Sequence, residues 1–238
     1  MKNLFLFFIA FSCSIMFSSC SNNLLKEGED FSIEKEDLKV LKDFSNFITK
    51  EAYFNAYDKE TGEVDYDNYE AIVLSYNFDK PIDLSTSFKQ SAITRSPNNT
   101  IDVLMNNNKL TNKQKKIFEK ILLENNPTLD YFLDIKNEVT LWEGDDKYLV
   151  VEALDCIIYC IEGLNEGLNE INYFEIMNTR SKSNKKPSKQ DYACSAAVTM
   201  FSTSTSVLVG FLTAPTGAGP LIGAIVGGAI GTYFGAYC

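Results

Sequence analysis

Five glycines at unbroken four-residue spacing, Gly219, Gly223, Gly227, Gly231 and Gly235, lie in an apolar segment that carries no charged residue after Asp191. On an α-helix this spacing stacks the glycines on one face and leaves a flat backbone groove where a second helix can sit very close. Each interior glycine costs roughly 1 kcal/mol of helix propensity relative to alanine, so such a helix would melt alone in water. The segment is therefore built to pack against something, in a membrane or in an oligomer.

The tail containing the ladder, residues 191–238, divides into two apolar stretches, 193–211 and 221–237, around a strong break at 213–220 with Pro215, Gly217 and Pro220. Pro220 suits the first turn of a following helix. Both arms stand near the lower limit for crossing about 30 Å of hydrocarbon. The first arm is softened by Ser195, Thr199, Ser202, Thr203, Ser204, Thr205 and Ser206, hydroxyls suited to bonding between helices or lining a wet path. A marginal hairpin of small residues can be kept soluble by a partner domain and inserted later.

At the other end, Lys2 precedes an apolar run from Leu4 to Phe17, too short to span, that closes with Phe17, Ser18, Ser19 and Cys20. This is the layout of a targeting segment, to be excluded from the fold. The closing residues resemble a bacterial lipobox. That resemblance implies cleavage of residues 1–19, lipidation at Cys20, and an exported protein anchored in the outer membrane or cell surface, or released outside. The plainer reading is an ordinary signal peptide with an incidental cysteine.

Either way the mature chain reaches a compartment where disulfides persist. Beyond Cys20 the candidates are Cys156, Cys160, Cys194 and Cys238. A bond between Cys194 and Cys238 would close the two ends of the hairpin, with a stabilisation on the order of 3 to 4 kcal/mol. Cys156 and Cys160, one helical turn apart, could pair awkwardly with each other or tether the tail to the body. Sequence does not choose among these pairings.

Composition then excludes several classes of function. A net charge of -10 argues against nucleic-acid binding, which needs concentrated Lys and Arg. With 0 histidines, Ser-His and Cys-His nucleophile systems and the usual catalytic zinc sites are unavailable. No nucleophile elbow, P-loop or dinucleotide fingerprint occurs. No catalytic residue, metal ligand or cofactor is expected, and the chain is read as a non-enzyme.

Residues 20–179 read as an acidic, mostly helical domain. Leu38, Leu41, Phe44, Phe47 and Ile48 place an amphipathic helix over about 34–57. Thr111 and Gln114 form a capping-box pattern ahead of Ile117, Phe118, Ile121 and Leu122. Pro127 opens a further short helix, and 146–177 reads as a longer one. Residues 101–105 are assigned to a helix or turn. Asp58, Glu60, Gly62, Asp65 and Asp67 have the flavour of a calcium loop, but the glycine is one place early and Tyr69 stands where a glutamate is needed, so a solvated acidic turn is preferred. Gly163-Leu164-Asn165-Glu166 repeats as Gly167-Leu168-Asn169-Glu170, read as local helix or a helix end.

Between domain and tail, residues 180–190 hold no apolar residue except Pro187 and carry Arg180, Lys182, Lys185, Lys186 and Lys189. This is expected to be a flexible linker and a good substrate for a trypsin-like protease.

The glycine ladder, with Gly228 beside it, resembles the zippers of membrane-permeabilising bacteriocins, and the layout of signal, basic linker and apolar tail is similar to secreted Bacteroidales-type bacteriocins. The resemblance implies a precursor activated by proteolysis, whose zipper fragment oligomerises in the envelope lipid of related bacteria. A competing resemblance is to outer-membrane lipoproteins with a glycine-zipper two-span anchor, although there the zipper follows the lipidated cysteine closely. The expected fold is all-α throughout.

Overall fold

The computed structural model describes residues 33–79 except 59 and 62, residues 82 and 84, residues 110–170, and residues 189–236 except 217. The expectations placed on Cys20, Gly62, residues 101–105, Arg180, Lys182, Lys185, Lys186 and Cys238 lie outside the described residues. Those residues form seven helices and a single pair of two-residue strands, an all-α fold.

Helix α1, Lys35–Phe47, buries Leu38, Leu41 and Phe44, the apolar positions whose spacing marks it in the sequence. It continues through a π-helical stretch, Ile48–Tyr53, and a last turn, Phe54–Ala56. In the widened stretch the Thr49 hydroxyl donates to Asn46 O at 2.7 Å, three residues back. Strand β1, Tyr57–Asp58, then pairs antiparallel with β2, Glu63–Val64.

The acidic run around this hairpin serves the backbone. The Asp58 carboxylate accepts from the backbone N–H of Glu60 at 2.7 Å and Thr61 at 3.2 Å, which closes the turn. The Asp65 carboxylate accepts from Asn68 N–H at 3.0 Å and caps α2, Tyr66–Leu74, a helix the sequence reading missed. Two of the carboxylates that mimic a calcium loop are thus spent on orphan N–H groups.

Helix α3, Asn112–Leu123, starts with the expected capping box: Thr111 accepts from Gln114 N–H at 3.3 Å and Gln114 returns the bond from Thr111 N–H at 2.9 Å. The Gln114 amide also donates to Asp146 O at 2.9 Å, tying this start to that of α5. Helix α4, Leu129–Thr140, begins after Thr128, whose hydroxyl accepts from Tyr131 N–H at 3.1 Å. The expected start at Pro127 is displaced because the hydroxyl just after it is the better cap.

Helix α5, Asp146–Glu170, is the central element, packed on α1, α4, α3 and the tail. The tandem Gly-Leu-Asn-Glu, residues 163–170, is helical throughout and forms the last two turns of the described helix. A Cβ on Gly163 would collide with the Lys42 carbonyl, and one on Gly167 with the Thr49 hydroxyl and, at 2.8 Å, the Asn46 carbonyl. The duplicated glycines form a notch that lets α5 touch the backbone of α1 and its π-helical extension, while Leu164 and Leu168 fill the core between. Lys42 bonds Glu166 at 2.7 Å and Lys50 bonds Glu170 at 2.5 Å along the rim.

The tail forms α6, Lys189–Leu212, a short 3-10 turn, Ala214–Thr216, and α7, Gly219–Gly235. The helix thus begins inside the proposed linker, which takes Lys189 and Gln190 out of the expected flexible segment. Body and tail share one hydrophobic core, in which Leu41, Phe44, Ile121, Phe132 and Ile157 are continuous with Phe201, Ile225, Val226 and Ile230.

Candidate functional site

The two arms of the tail run antiparallel in a strict register. The Ser206 hydroxyl donates to Gly223 O at 2.5 Å, and one turn further along both helices the Ser202 hydroxyl donates to Gly227 O at 2.6 Å. One turn in the other direction, the Gly210 carbonyl fills the space a Cβ on Gly219 would need. Each step of four up α7 meets a step of four back along α6, so Gly210, Ser206 and Ser202 answer Gly219, Gly223 and Gly227. The first arm carries its own ladder of small residues.

The glycine ladder does not keep to one face. Four residues advance a helix by more than a full turn, about 40° per step, so between Gly219 and Gly235 the ladder rotates by about 160°. The surroundings follow that drift. A Cβ on Gly223 would stand 2.6 Å from Ser206 O and 3.0 Å from the Gly210 backbone, which no backbone can yield to freely. One on Gly231 would make ordinary contact with Ser202, 3.7 Å from its hydroxyl and 4.0 Å from its Cβ. One on Gly235 would meet nothing within 4 Å. The expectation that all five glycines share a single groove is corrected: the ladder is closed at Gly219 and Gly223 and open at Gly235.

The hydroxyls of the first arm divide by direction. Ser202 and Ser206 bond across to α7, as expected of hydroxyls between helices. Thr199, Thr205 and Thr213 donate instead to carbonyls four residues back, Ser195, Phe201 and Val209, at 2.9, 2.7 and 2.7 Å. Ser204 turns the other way and bonds the buried Tyr69 hydroxyl at 3.0 Å, which holds α6 against α2. Burial pushes the Tyr69 hydroxyl well above the usual tyrosine range, so it stays protonated and able to donate.

The seam between hairpin and body is of another kind. Phe201 sits edge-on to Tyr53 at 5.5 Å, and Tyr233 lies 6.4 Å from Phe132. Leu122 of α3 occupies the notch at Gly228, its Cδ2 2.5 Å from where a Cβ would be. Besides the Tyr69 to Ser204 bond, the Asn165 amide donates to the Tyr233 hydroxyl at 3.1 Å. Ile222, Ile225, Val226 and Ile230 are fully buried.

Within α6, Cys194–Leu212 spans 19 residues and is the one stretch among the described residues long and apolar enough to cross a membrane; just over half of it is buried. Helix α7 is shorter at 17 residues. At 1.5 Å per residue that is about 26 Å, slightly under the thickness of hydrocarbon.

Cys194 is disulfide-bonded, to a partner outside the described residues. Cys156 and Cys160 are free thiols, fully buried on α5. A bond between those two, and a tether from either to the tail, are therefore corrected. Burial raises both thiols, Cys160 to about 12, so neither is a reactive thiolate. On the same helix Glu152 is 2% exposed and neither carboxylate oxygen has a hydrogen-bond partner. Burial, and then the nearby Asp155 carboxylate, push its pKa up to about 7. Among the described residues no cluster of His, Cys, Asp or Glu could hold a metal ion.

Sequence reasoning expected hydroxyl bonds between the helices but did not assign Ser202 and Ser206 to rungs of the ladder, and it missed the notch at Gly163 and Gly167. The first was readable from the matching four-residue spacing of Gly210, Ser206 and Ser202 on the opposite arm. Compared with known proteins, the chain matches no family model, no curated protein and no solved structure.

Proposed function

We propose that this protein is a secreted antibacterial toxin, made as a lipoprotein-like precursor in which the acidic helical body sheathes an apolar hairpin. A trypsin-like protease cuts the basic segment ahead of α6, at one of Arg180, Lys182, Lys185 or Lys186. The freed hairpin then inserts in and permeabilises the envelope of related bacteria. The observation that carries the reading is the contradiction built into α7. It is an uncharged apolar helix of 17 residues, poor in helix propensity, yet it is buried on several sides by α6, α5 and α3. A permanent two-span anchor would instead turn that surface outward, toward the membrane. Since Gly219 and Gly223 are occupied by α6 and Gly231 lies in contact with Ser202, self-association in the target membrane falls to the open end of the ladder at Gly235. No chemistry of catalysis enters this reading.

The test is killing of related strains by the purified mature protein, intact and after limited trypsin digestion, with the cut located by mass spectrometry. Killing that appears only after cleavage between Arg180 and Gln190 is the expected result. Efficient cleavage there without killing of any related strain overturns the proposal and favours a structural outer-membrane lipoprotein with a two-span anchor.

A further inference from the structure

The hairpin is bounded by two seams that respond unequally to a change of solvent. The outer seam, between hairpin and body, carries two side-chain hydrogen bonds, Tyr69 to Ser204 and Asn165 to Tyr233, among a larger apolar contact of Phe201 on Tyr53, Tyr233 on Phe132 and Leu122 on Gly228. In water this seam is held by the hydrophobic effect. In a bilayer that drive vanishes, because lipid tails are as apolar as the side chains they replace. The inner seam, between α6 and α7, is held by other means. Its backbones touch at Gly210, Gly219 and Gly223, and its hydroxyls bond across at 2.6 Å from Ser202 to Gly227 O and at 2.5 Å from Ser206 to Gly223 O. Close packing and hydrogen bonds of this kind keep their strength in lipid. Covalent connectivity agrees with the division. Cys156 and Cys160 are the only cysteines between residues 21 and 188 and both are free, so the Cys194 disulfide does not join the hairpin to that part of the body.

We infer that the α6–α7 hairpin leaves the body as a closed unit, with its serine-to-glycine seam intact, and enters a membrane without its two arms separating. The inference rests on the proposed toxin reading and specifies its moving part. It also assigns Ser206, the buried hydroxyl of the seam, a positioning role, that of keeping the arms together where water is absent.

The geometry supplies its own test. A Cβ on Gly231 stands 4.0 Å from the Cβ of Ser202, within the span of a disulfide, which is about 3.5 to 4.5 Å. The double variant Ser202→Cys, Gly231→Cys, cleaved at the basic segment, is mixed with anionic phospholipid vesicles holding a fluorescent dye. It is also placed in a nonionic detergent micelle. Peptide mapping reads the new crosslink after mild oxidation, and dye release is followed for the oxidised and unoxidised forms. The closed hairpin predicts crosslinking in lipid and micelle as complete as in water, and dye release by the crosslinked protein within twofold of the uncrosslinked. Crosslinking that falls at least tenfold on transfer to lipid or micelle, or release that stops when the arms are joined, overturns the inference. Wild-type protein that is cut but releases no dye counts against the toxin reading alone, since the micelle crosslink still reports whether the arms stay together. Adding Ser206→Ala to the double variant removes the remaining cross-seam hydroxyl, and crosslinking should then fall in lipid and not in water; equal crosslinking in both would overturn the role of Ser206.

Discussion

Alanine placed at two rungs of the same glycine ladder should move stability in opposite directions. At Gly231 a methyl makes ordinary contact, 3.7 Å from the Ser202 hydroxyl, so Gly231→Ala keeps the full gain of helix propensity, about 1 kcal/mol. At Gly223 the same methyl would stand 2.6 Å from Ser206 O and 3.0 Å from the Gly210 backbone. Overpacking against backbone costs about 1 to 3 kcal/mol. Pushing the arms apart also weakens the Ser206 to Gly223 hydrogen bond, worth about 1 kcal/mol. The propensity gain offsets about 1 kcal/mol of this, leaving Gly223→Ala less stable by roughly 1 to 3 kcal/mol. Urea unfolding of the mature protein followed by circular dichroism reads both changes, with midpoint compared at constant slope. Equal shifts of the same sign would refute the argument that the ladder rotates out of the groove.

Glu152 makes stability depend on pH. Its carboxyl stays neutral in the fold up to about 7, against an ordinary value of 4.5. The folded state therefore holds a proton that the unfolded state has lost, and stability is complete below about 4.5 and falls as pH rises through 7. The displacement corresponds to about 3 kcal/mol. Glu152→Gln should thus leave stability nearly unchanged at pH values below 4.5 and raise it by about 3 kcal/mol in alkaline buffer; a gain of the same size at both would refute the assignment. In the body, Gly167→Ala drives a methyl into the Thr49 hydroxyl and should cost about 1 to 3 kcal/mol. A double-mutant cycle with Thr49→Ala should recover at least about 0.5 kcal/mol, and simple additivity would show that the contact is not the cause.

How much of this was legible in the chain depends on the range of the interaction concerned. Local rules carried well. The Thr111 and Gln114 box, the apolar stripe of α1, the break at Pro215 to Pro220 and the helical character of both arms each depend on residues within a turn or two. The chain placed α4 two residues early because Pro127 and Thr128 are both plausible starts, and only the bond from Tyr131 N–H to the Thr128 hydroxyl distinguishes them. Helix α2 went unread because its cap, Asp65, sits among carboxylates that suggested a loop.

That the tail is two apolar helices joined by a turn with two prolines, that glycine recurs along one of them, and that no histidine is available for chemistry all follow from the order of residues along the chain. Which glycines matter depends on the packing of the two arms. Spacing says only that four residues separate them, whereas contact depends on how far the stripe has rotated when it meets the other arm, so Gly219 and Gly223 are closed and Gly235 is open. Packing also makes the tandem glycines of α5 a notch, since only the path of α1 brings Asn46 O and Thr49 to Gly167. And packing places the hairpin in the core of the body. Burial is a property of what surrounds a helix, and hydrophobic pattern alone is the same for a surface bound for lipid and one already covered by protein.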